Sequence, residues 1–457
     1  QKFKYLELAN NMVHEATVNF GAIFGSVQLI DTAILNFCHN KLGKICFDRS
    51  HKVKQVVEGA LVMNPRIGFH RWIASVDINS LYPSTYRSLN LSPEKIVGQL
   101  MGYEADWRTI YRANKNPQND LYQTSKVTLR LEGCDPDDDL VLTAGEVLDL
   151  CKSKKFAISA YGTVLDHGNG EGLIPAVLTY WFLGRKEMQA KKKEFAAVAD
   201  KILLNNGNNK EDPAYIDAVN KSDYYDMLQG VRKVLLNSQY GATLNEFCRF
   251  HDPRLGASTT GSGRQITTHM LETIASTLIG EGAPKIKKET TTNKKGEVEN
   301  VYTMDCPVGL GPIYSDTDSA YFLLGGIVDN LDDAVACADA VAATVNASFP
   351  AFMKEAFLCQ EEFSDKIKAN REVVARSGIF RAKKKYILYI GDMEGKRIDP
   401  ESPKSLKTQG SDIKLSSTPQ MIRTLLTDVT MKILKEHSRT EITDYIIDFR
   451  KNLNENN

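Results

Sequence analysis

Two aspartates one residue apart, Asp316 and Asp318, sit in the stretch Ile313-Tyr314-Ser315-Asp316-Thr317-Asp318-Ser319-Ala320-Tyr321-Phe322. Apolar and aromatic residues flank them, and Gly309, Gly311 and Pro312 punctuate the approach. The pattern predicts a β-hairpin with acids at its tip. Such a tip can offer carboxylate oxygens to Mg²⁺, a hard cation that prefers oxygen and often shares it with substrate phosphates. The same Asp-x-Asp spacing recurs in Asp135-Pro136-Asp137-Asp138-Asp139, without apolar flanks, and there it reads as a solvated acidic turn. Taken alone, the 316/318 pair is open to the same bland reading. A metal site needs further groups from elsewhere in the chain.

A second acid stands at a strand end. Trp72-Ile73-Ala74-Ser75-Val76 reads as a buried strand that stops at Asp77. Ile78-Asn79-Ser80-Leu81-Tyr82 then turns into a helix, with Pro83 at the tolerated first helical position. An acid beside a helix N-terminus can hold a metal, while the free N–H groups of Ser80, Leu81 and Tyr82 can hold the phosphates that accompany it. The plain alternative is an aspartate that only assists the turn. A third group lies on a helical pattern, where Lys233, Asn237, Tyr240 and Gly241 fall at i, i+4, i+7 and i+8 on one face. Lysine suits a phosphate, a tyrosine ring can stack on a base, and glycine lets a duplex come close. Arg185, on a preceding helical pattern, is placed to join Lys233. A lysine-rich helix is ordinarily a solvated face, but solvation does not require Asn237, Tyr240 and Gly241. A fourth group is local basicity. Arg371 to Tyr386 holds basic residues at 371, 376, 381, 383, 384 and 385 against one acid, Glu372. It suits a nucleic-acid backbone, and it is also how a lysine-rich strand edge looks.

The elements that must position these groups follow from periodicity. Residues 1–48 look helical and end in a polar stretch, Cys46 to Lys54. Residues 91–171 are mixed, with strand-like runs at 127–131 and 155–160. Two long helical patterns, from Gly172 and from about Tyr215 to Tyr240, meet at Asn205-Asn206-Gly207-Asn208-Asn209 and predict a projecting αα-hairpin. Helices are predicted over roughly 264–279 and 332–357, with a polar excursion at 285–300 between them. Lys383-Lys384-Lys385-Tyr386 leads into the strand Ile387-Leu388-Tyr389-Ile390. Two further helices begin at Pro419 and near Glu441.

The 457 residues leave room for two to four domains, and Lys plus Arg (57) equals Asp plus Glu (57). Net charge therefore argues neither for nor against nucleic acid, and any basic footprint has to be local. The eight cysteines are scattered without a Cys-x-x-Cys pair, which predicts reduced thiols, a cytoplasmic setting and no zinc site. The start, Gln1-Lys2-Phe3-Lys4, resembles neither a signal peptide nor a membrane span, and the longest apolar run, Leu173 to Leu183, is too short to cross a bilayer. No membrane partner is expected. The missing initiator Met is expected of a fragment or a trimmed chain.

Together these residues resemble family B DNA polymerases. Ser75-Val76-Asp77-Ile78-Asn79-Ser80-Leu81-Tyr82-Pro83-Ser84 resembles the family's D-x-x-S-L-Y-P-S motif. Lys233-Val234-Leu235-Leu236-Asn237-Ser238-Gln239-Tyr240-Gly241 resembles K-x-x-x-N-S-x-Y-G. Tyr314-Ser315-Asp316-Thr317-Asp318-Ser319 resembles Y-G-D-T-D-S, with Ser315 in place of glycine, and Lys383-Lys384-Lys385-Tyr386 resembles K-K-x-Y. The four occur in the family's order. The wording of Asp392-Met393-Glu394-Gly395 and Ser416-Ser417-Thr418-Pro419 is most similar to replicative polymerases of T-even-type bacteriophages.

The resemblance implies an α+β fold shaped as a right hand. The palm is expected at 49–171 and 246–408, the helical-hairpin fingers at 172–245, the start of a thumb at 409–457, and a remnant of an N-terminal region at 1–48. It implies that Asp77 and Asp318 bind two Mg²⁺ ions, for which Mn²⁺ can substitute, with the Ile78 carbonyl assisting and Asp316 and Glu372 close by. Ser80, Leu81, Arg185 and Lys233 would hold the triphosphate of a dNTP. Tyr82 would pack under the sugar and exclude a 2′-hydroxyl. Asn237, Ser238, Tyr240 and Gly241 would border the nascent base pair, and Lys383, Lys384 and Tyr386 would grip the primer end. The primer 3′-oxygen would then attack the α-phosphorus in line between two ions roughly 3.5–4 Å apart. Ser315 is expected to add a side chain beside the primer terminus. Where the family carries a further lysine this chain has Gln189, so triphosphate binding is expected to lean on Lys186, Lys191 or Lys192. No exonuclease motif is present and the thumb looks short, so proofreading is not expected, and a sliding clamp and other chains supplying exonuclease and thumb are candidate partners. The host-cell cytoplasm is the expected location. Two rival readings use the same residues: a catalytically silent polymerase-like module that binds DNA or scaffolds a replisome, and a metal-dependent nuclease.

Overall fold

A computed structural model describes residues 5–46, 57–292, 296 and 298–455. The polar stretch expected after Cys46, the expected boundary at 48/49 and the tip of the 285–300 excursion lie outside those residues. The chain mixes helices with antiparallel sheets and divides into two compact units. One comprises Gln1–Gly59, Ser80–Ser262 and Ala351–Lys366; the other comprises Ala60–Asn79, Gly263–Pro350 and Ile367–Asn457.

The second unit is built on a seven-stranded antiparallel sheet. Its middle strand, Gly68–Ile78, lies between Ser319–Leu324 and the long strand Ala369–Ala382. Leu310–Asp316 flanks on one side, and Lys385–Met393 with two short partners on the other. Ile73, Ala74, Ser75 and Val76 are all buried, as expected for a strand covered on both faces rather than one. One face of the sheet closes over a cluster of Ile73, Ile313, Tyr314, Tyr321, Val373 and Phe380, among others. Its aromatic rings lie 5.2–5.9 Å apart by centroid, for example Tyr321 to Tyr386 at 5.2 Å and Tyr314 to Tyr386 at 5.9 Å, the spacing of favourable ring pairs.

The first unit holds a five-stranded antiparallel sheet and the predicted helical hairpin. The first long helix runs Leu173–Asn205 and the second Pro213–Thr243. They separate because Gly207 (φ 70°) and Asn208 (φ 65°) adopt left-handed backbone that ends a helix. The second helix starts cleanly: Asp212 accepts a hydrogen bond from the Ala214 N–H at 2.8 Å, and Pro213 needs no donor in the first turn. Phe195 stacks on Tyr225 between the two helices, at 5.6 Å between ring centroids. Asp135 to Asp138 of the acidic turn are exposed as expected, while Asp139 is half-buried and paired to Arg130 at 2.7 Å.

Among the described residues one helix, Leu331–Phe357, is long and apolar enough to cross a membrane by length and composition. It carries Asp332, Asp333, Asp339 and Lys354 and buries Val341, Val345, Phe349 and Met353, the pattern of a helix lying on a protein core.

Candidate active site

The acids come together through strand register. Leu310–Asp316 and Ser319–Leu324 form the predicted hairpin, with Asp316 opposite Ser319 and a two-residue turn of Thr317 and Asp318. On the other side Asp77 lies opposite Ser319, and the Ile78 N–H donates to the Asp318 carbonyl at 2.8 Å. Asp77 and Asp318 therefore occupy adjoining strand ends. The turn is held in a costly conformation. Thr317 has φ 64°, which a β-branched side chain rarely adopts. Three bonds fix it: its N–H to the Leu61 carbonyl at 2.9 Å, its carbonyl to the Thr267 hydroxyl at 2.8 Å, and its own hydroxyl to Asp316 at 3.1 Å. Strain of about 1–3 kcal/mol at such a residue persists only where the surroundings over-determine it, and it concentrates at functional turns.

Glu372 reaches the same end of the sheet by a bulge. Ser75 pairs with Val373 and Val76 with Arg371, so Glu372 is the extra residue between them. Bulges re-aim side chains in this way. Its carboxylate is held by Lys407 at 2.8 Å, a contact that nothing in the sequence announced. Burial above all, opposed by a backbone hydrogen bond and reinforced by the charges of Asp316 and Glu372, pushes the Asp318 carboxyl up to about 6. A half-buried acid pressed by two other acids favours a cation, and two carboxylates plus a backbone carbonyl form a hard-oxygen donor set of the kind Mg²⁺ takes when phosphates complete its shell. Among the described residues no group of three His, Cys, Asp or Glu is already assembled around a metal-sized gap.

Asp316 is engaged differently. Lys384 pairs with it at 3.5 Å, and the Tyr314 hydroxyl donates to it at 3.5 Å while accepting the Lys384 N–H at 2.8 Å. Lys383 and Lys384 form the tip of the hairpin between Ala369–Ala382 and Lys385–Met393, with Lys384 at φ 59° and exposed. Tyr386 is buried, its hydroxyl 2.8 Å from that of Tyr321, so it supports the tip from below. The basic stretch is less available than its composition suggests. Arg371 is buried between Asp339 and Asp392, and Arg376 lies over the Tyr389 ring at 5.3 Å, which leaves 381 and 383–385 for an outside anion. Ser315 also departs from expectation. Strand alternation turns it away from Tyr314 and Asp316, it is 0% exposed, and its hydroxyl has no hydrogen-bond partner among the described residues. It adds a buried polar group rather than a group beside a primer.

In the other unit, Ser80 at φ 51° opens the helix Leu81–Ser88. Pro83 is its third residue, not its first, and still needs no donor there. Leu81 is buried and Tyr82 half-buried, with the Tyr82 ring 4.6 Å from that of Tyr240 on the second long helix. Tyr86, fully buried, bonds Thr243 at 3.0 Å and fixes the two helices together. Lys233, Asn237 and Gly241 are exposed, and Ser238 and Tyr240 half-exposed, so the predicted face is open. A Cβ on Gly241 would meet nothing within 4 Å, so folding does not require glycine there. Arg185 donates to Gln229 at 3.2 Å, one helical turn before Lys233. Of the lysines expected to compensate for Gln189, Lys191 pairs with Glu187 at 2.9 Å and Lys192 with Asp226 at 2.8 Å; Lys186 lies over the Phe182 ring at 5.6 Å.

Comparison with known proteins decides the family. The sequence matches DNA polymerase family B over residues 23–457.

The chain belongs to DNA polymerase family B.

It is 24% identical to the DNA-directed DNA polymerase of Escherichia phage RB69 over 95% of its own length, and 46% of that relative is covered. It is 25% identical to the DNA-directed DNA polymerase of Enterobacteria phage T4 over 98% of its own length, covering 48% of that relative. This family B chain thus spans about half the length of the curated relatives it matches.

Proposed function

We propose that this family B chain is a DNA-directed DNA polymerase that adds dNTPs to a primer 3′ end on a DNA template, in the replication of a viral genome in the host cytoplasm. The observation that carries the reading is the joining of Asp77 and Asp318 on adjoining strand ends, with the Ile78 N–H bonded to the Asp318 carbonyl at 2.8 Å. Asp77, Asp318 and the Ile78 carbonyl hold Mg²⁺, or Mn²⁺ in its place. Asp316, tied to Lys384 and Tyr314, acts mainly by orienting the hairpin, and Glu372 contributes charge. When bound, the ions polarise phosphate oxygens and offset the charge that develops in phosphoryl transfer. Arg185 and Lys233, with the N–H groups at Ser80 and Leu81, take the triphosphate. The Tyr82 ring, backed by Tyr240, lies under the sugar. Asn237, Ser238, Tyr240 and Gly241 border the nascent base pair, and Lys383 and Lys384 take primer phosphates over the aromatic support of Tyr386. Palm (49–171 and 246–408), fingers (172–245) and start of thumb (409–457) are assigned on the same resemblance.

Primer extension on a primed DNA template with Mg²⁺ and dNTPs tests the reading. Extension is expected. Template binding without extension would favour a silent module, and primer shortening without extension would favour a nuclease.

A further inference from the structure

Three helices meet at one guanidinium. Arg232, on the second long helix, donates from Nε to Glu15 at 2.7 Å and from Nη2 to the other Glu15 oxygen at 2.9 Å. Glu15 belongs to the helix Tyr5–Ala16. The pair is largely buried, with side chains 11% and 18% exposed. The guanidinium also reaches the first long helix at Gly184, where a Cβ would stand 1.8 Å from Arg232 Nη1. Unlike at Gly241, a side chain at Gly184 would have to displace the Arg232 guanidinium. The residues next in sequence are Arg185 and Lys233, the two cations assigned to the triphosphate. Arg185 is tied across the same gap to Gln229, three residues before Arg232.

We propose that Glu15, Arg232 and Gly184 form a clasp that fixes the rotation and register of the two long helices, and so positions Arg185 and Lys233 for the nucleotide triphosphate. The clasp touches no substrate itself; its residues are positioning residues. A largely buried ion pair adds little stability over an apolar pair of the same shape. What the forked pair does supply is direction, since two parallel N–H···O bonds fix the guanidinium plane. The glycine supplies the other half, because it leaves Nη1 the space that a Cβ would fill. Misplacing a charged group by about 1 Å can cost on the order of a hundredfold in rate, so a device that sets helix rotation beside both cations acts on nucleotide capture before it acts on folding.

The inference rests on the polymerase reading, and the two fail separately. Single-nucleotide incorporation by the full chain is measured against dNTP concentration for wild type, Glu15→Gln, Glu15→Asp, Arg232→Lys and Gly184→Ala, alongside primer–template affinity and thermal melting. The expected result is a KM for dNTP raised about tenfold or more in Glu15→Gln and Gly184→Ala, with primer–template affinity unchanged. Glu15→Asp and Arg232→Lys, which keep the charges, should fall between. Gly184→Ala is decisive because it leaves both partners of the ion pair in the chain. Unchanged KM in all variants overturns the clasp, as does a loss of rate and template affinity together in proportion to melting temperature. If the wild type extends no primer, the polymerase reading fails; dATP affinity in Ca²⁺ then scores the clasp, which stands only if Glu15→Gln and Gly184→Ala weaken it.

Discussion

Removing the Ser315 hydroxyl should stabilise the protein without touching its chemistry. Ser315 is 0% exposed and its Oγ has no partner among the described residues. Its backbone is fully used: it pairs with Ala320 across the hairpin, and its carbonyl accepts the Met63 N–H at 2.9 Å. Ser315→Ala keeps that backbone and the Cβ and deletes only the stranded hydroxyl. Leaving a buried polar group unsatisfied costs about 1–3 kcal/mol, so the substitution should gain about 1 kcal/mol, or about 2–4 °C in Tm for a unit of this size. Ser315→Gly loses the same hydroxyl but adds about 0.5–1 kcal/mol of backbone entropy in the unfolded chain, and should be close to neutral. Urea unfolding of the three proteins, with primer extension in parallel, measures both. A loss of 1 kcal/mol or more in Ser315→Ala would refute the reasoning, because the hydroxyl would then have to be bonded.

Three further outcomes follow from individual contacts. His167 is buried against the Phe363 ring at 4.2 Å, and burial lowers it to about 4; since the unfolded imidazole takes up its proton near 6.5, stability is full above that pH and falls as pH drops toward 4, by about 2 kcal/mol at pH 5. His167→Gln should remove that part of the acid sensitivity in urea melts, and an identical pH profile would contradict it. Tyr82→Ala should raise rNTP incorporation relative to dNTP in single-nucleotide assays, and unchanged discrimination would remove Tyr82 from the sugar contact. Lys384→Ala, at an exposed tip, should weaken primer–template binding and lower the slope of log K against log salt by about 0.9; an unaltered slope would mean that Lys384 meets no phosphate.

The sequence made parts of this architecture legible for physical reasons. The carboxylate hairpin announces itself because glycine and proline mark its approach and apolar residues fill its strands on both sides. The helical hairpin does so because long periodic runs break at an Asn-Gly cluster that left-handed backbone requires. The open face of Lys233, Asn237, Tyr240 and Gly241 follows directly from helical spacing. What stayed hidden depends on contacts between segments far apart in the chain. Glu372 reaches the acid cluster through a bulge and is held by Lys407, and neither is written in the residues around it. Arg371 looked like part of a basic stripe until Asp339 and Asp392 claimed it. Ser315 looked like a surface change because its motif borders the chemistry, yet alternation along the strand turns it inward. Arg232 gave no signal beyond one more basic residue, since its partners lie 217 positions away in Glu15 and on another helix at Gly184.

The most direct test of the central claim is primer extension by the wild-type chain and by Asp318→Ala, in Mg²⁺ with all four dNTPs, with template binding measured for both. The wild type is expected to extend the primer and the variant to lose about three orders of magnitude or more in rate, with template affinity retained. Extension by Asp318→Ala at the wild-type rate, or no extension by either protein, would contradict it.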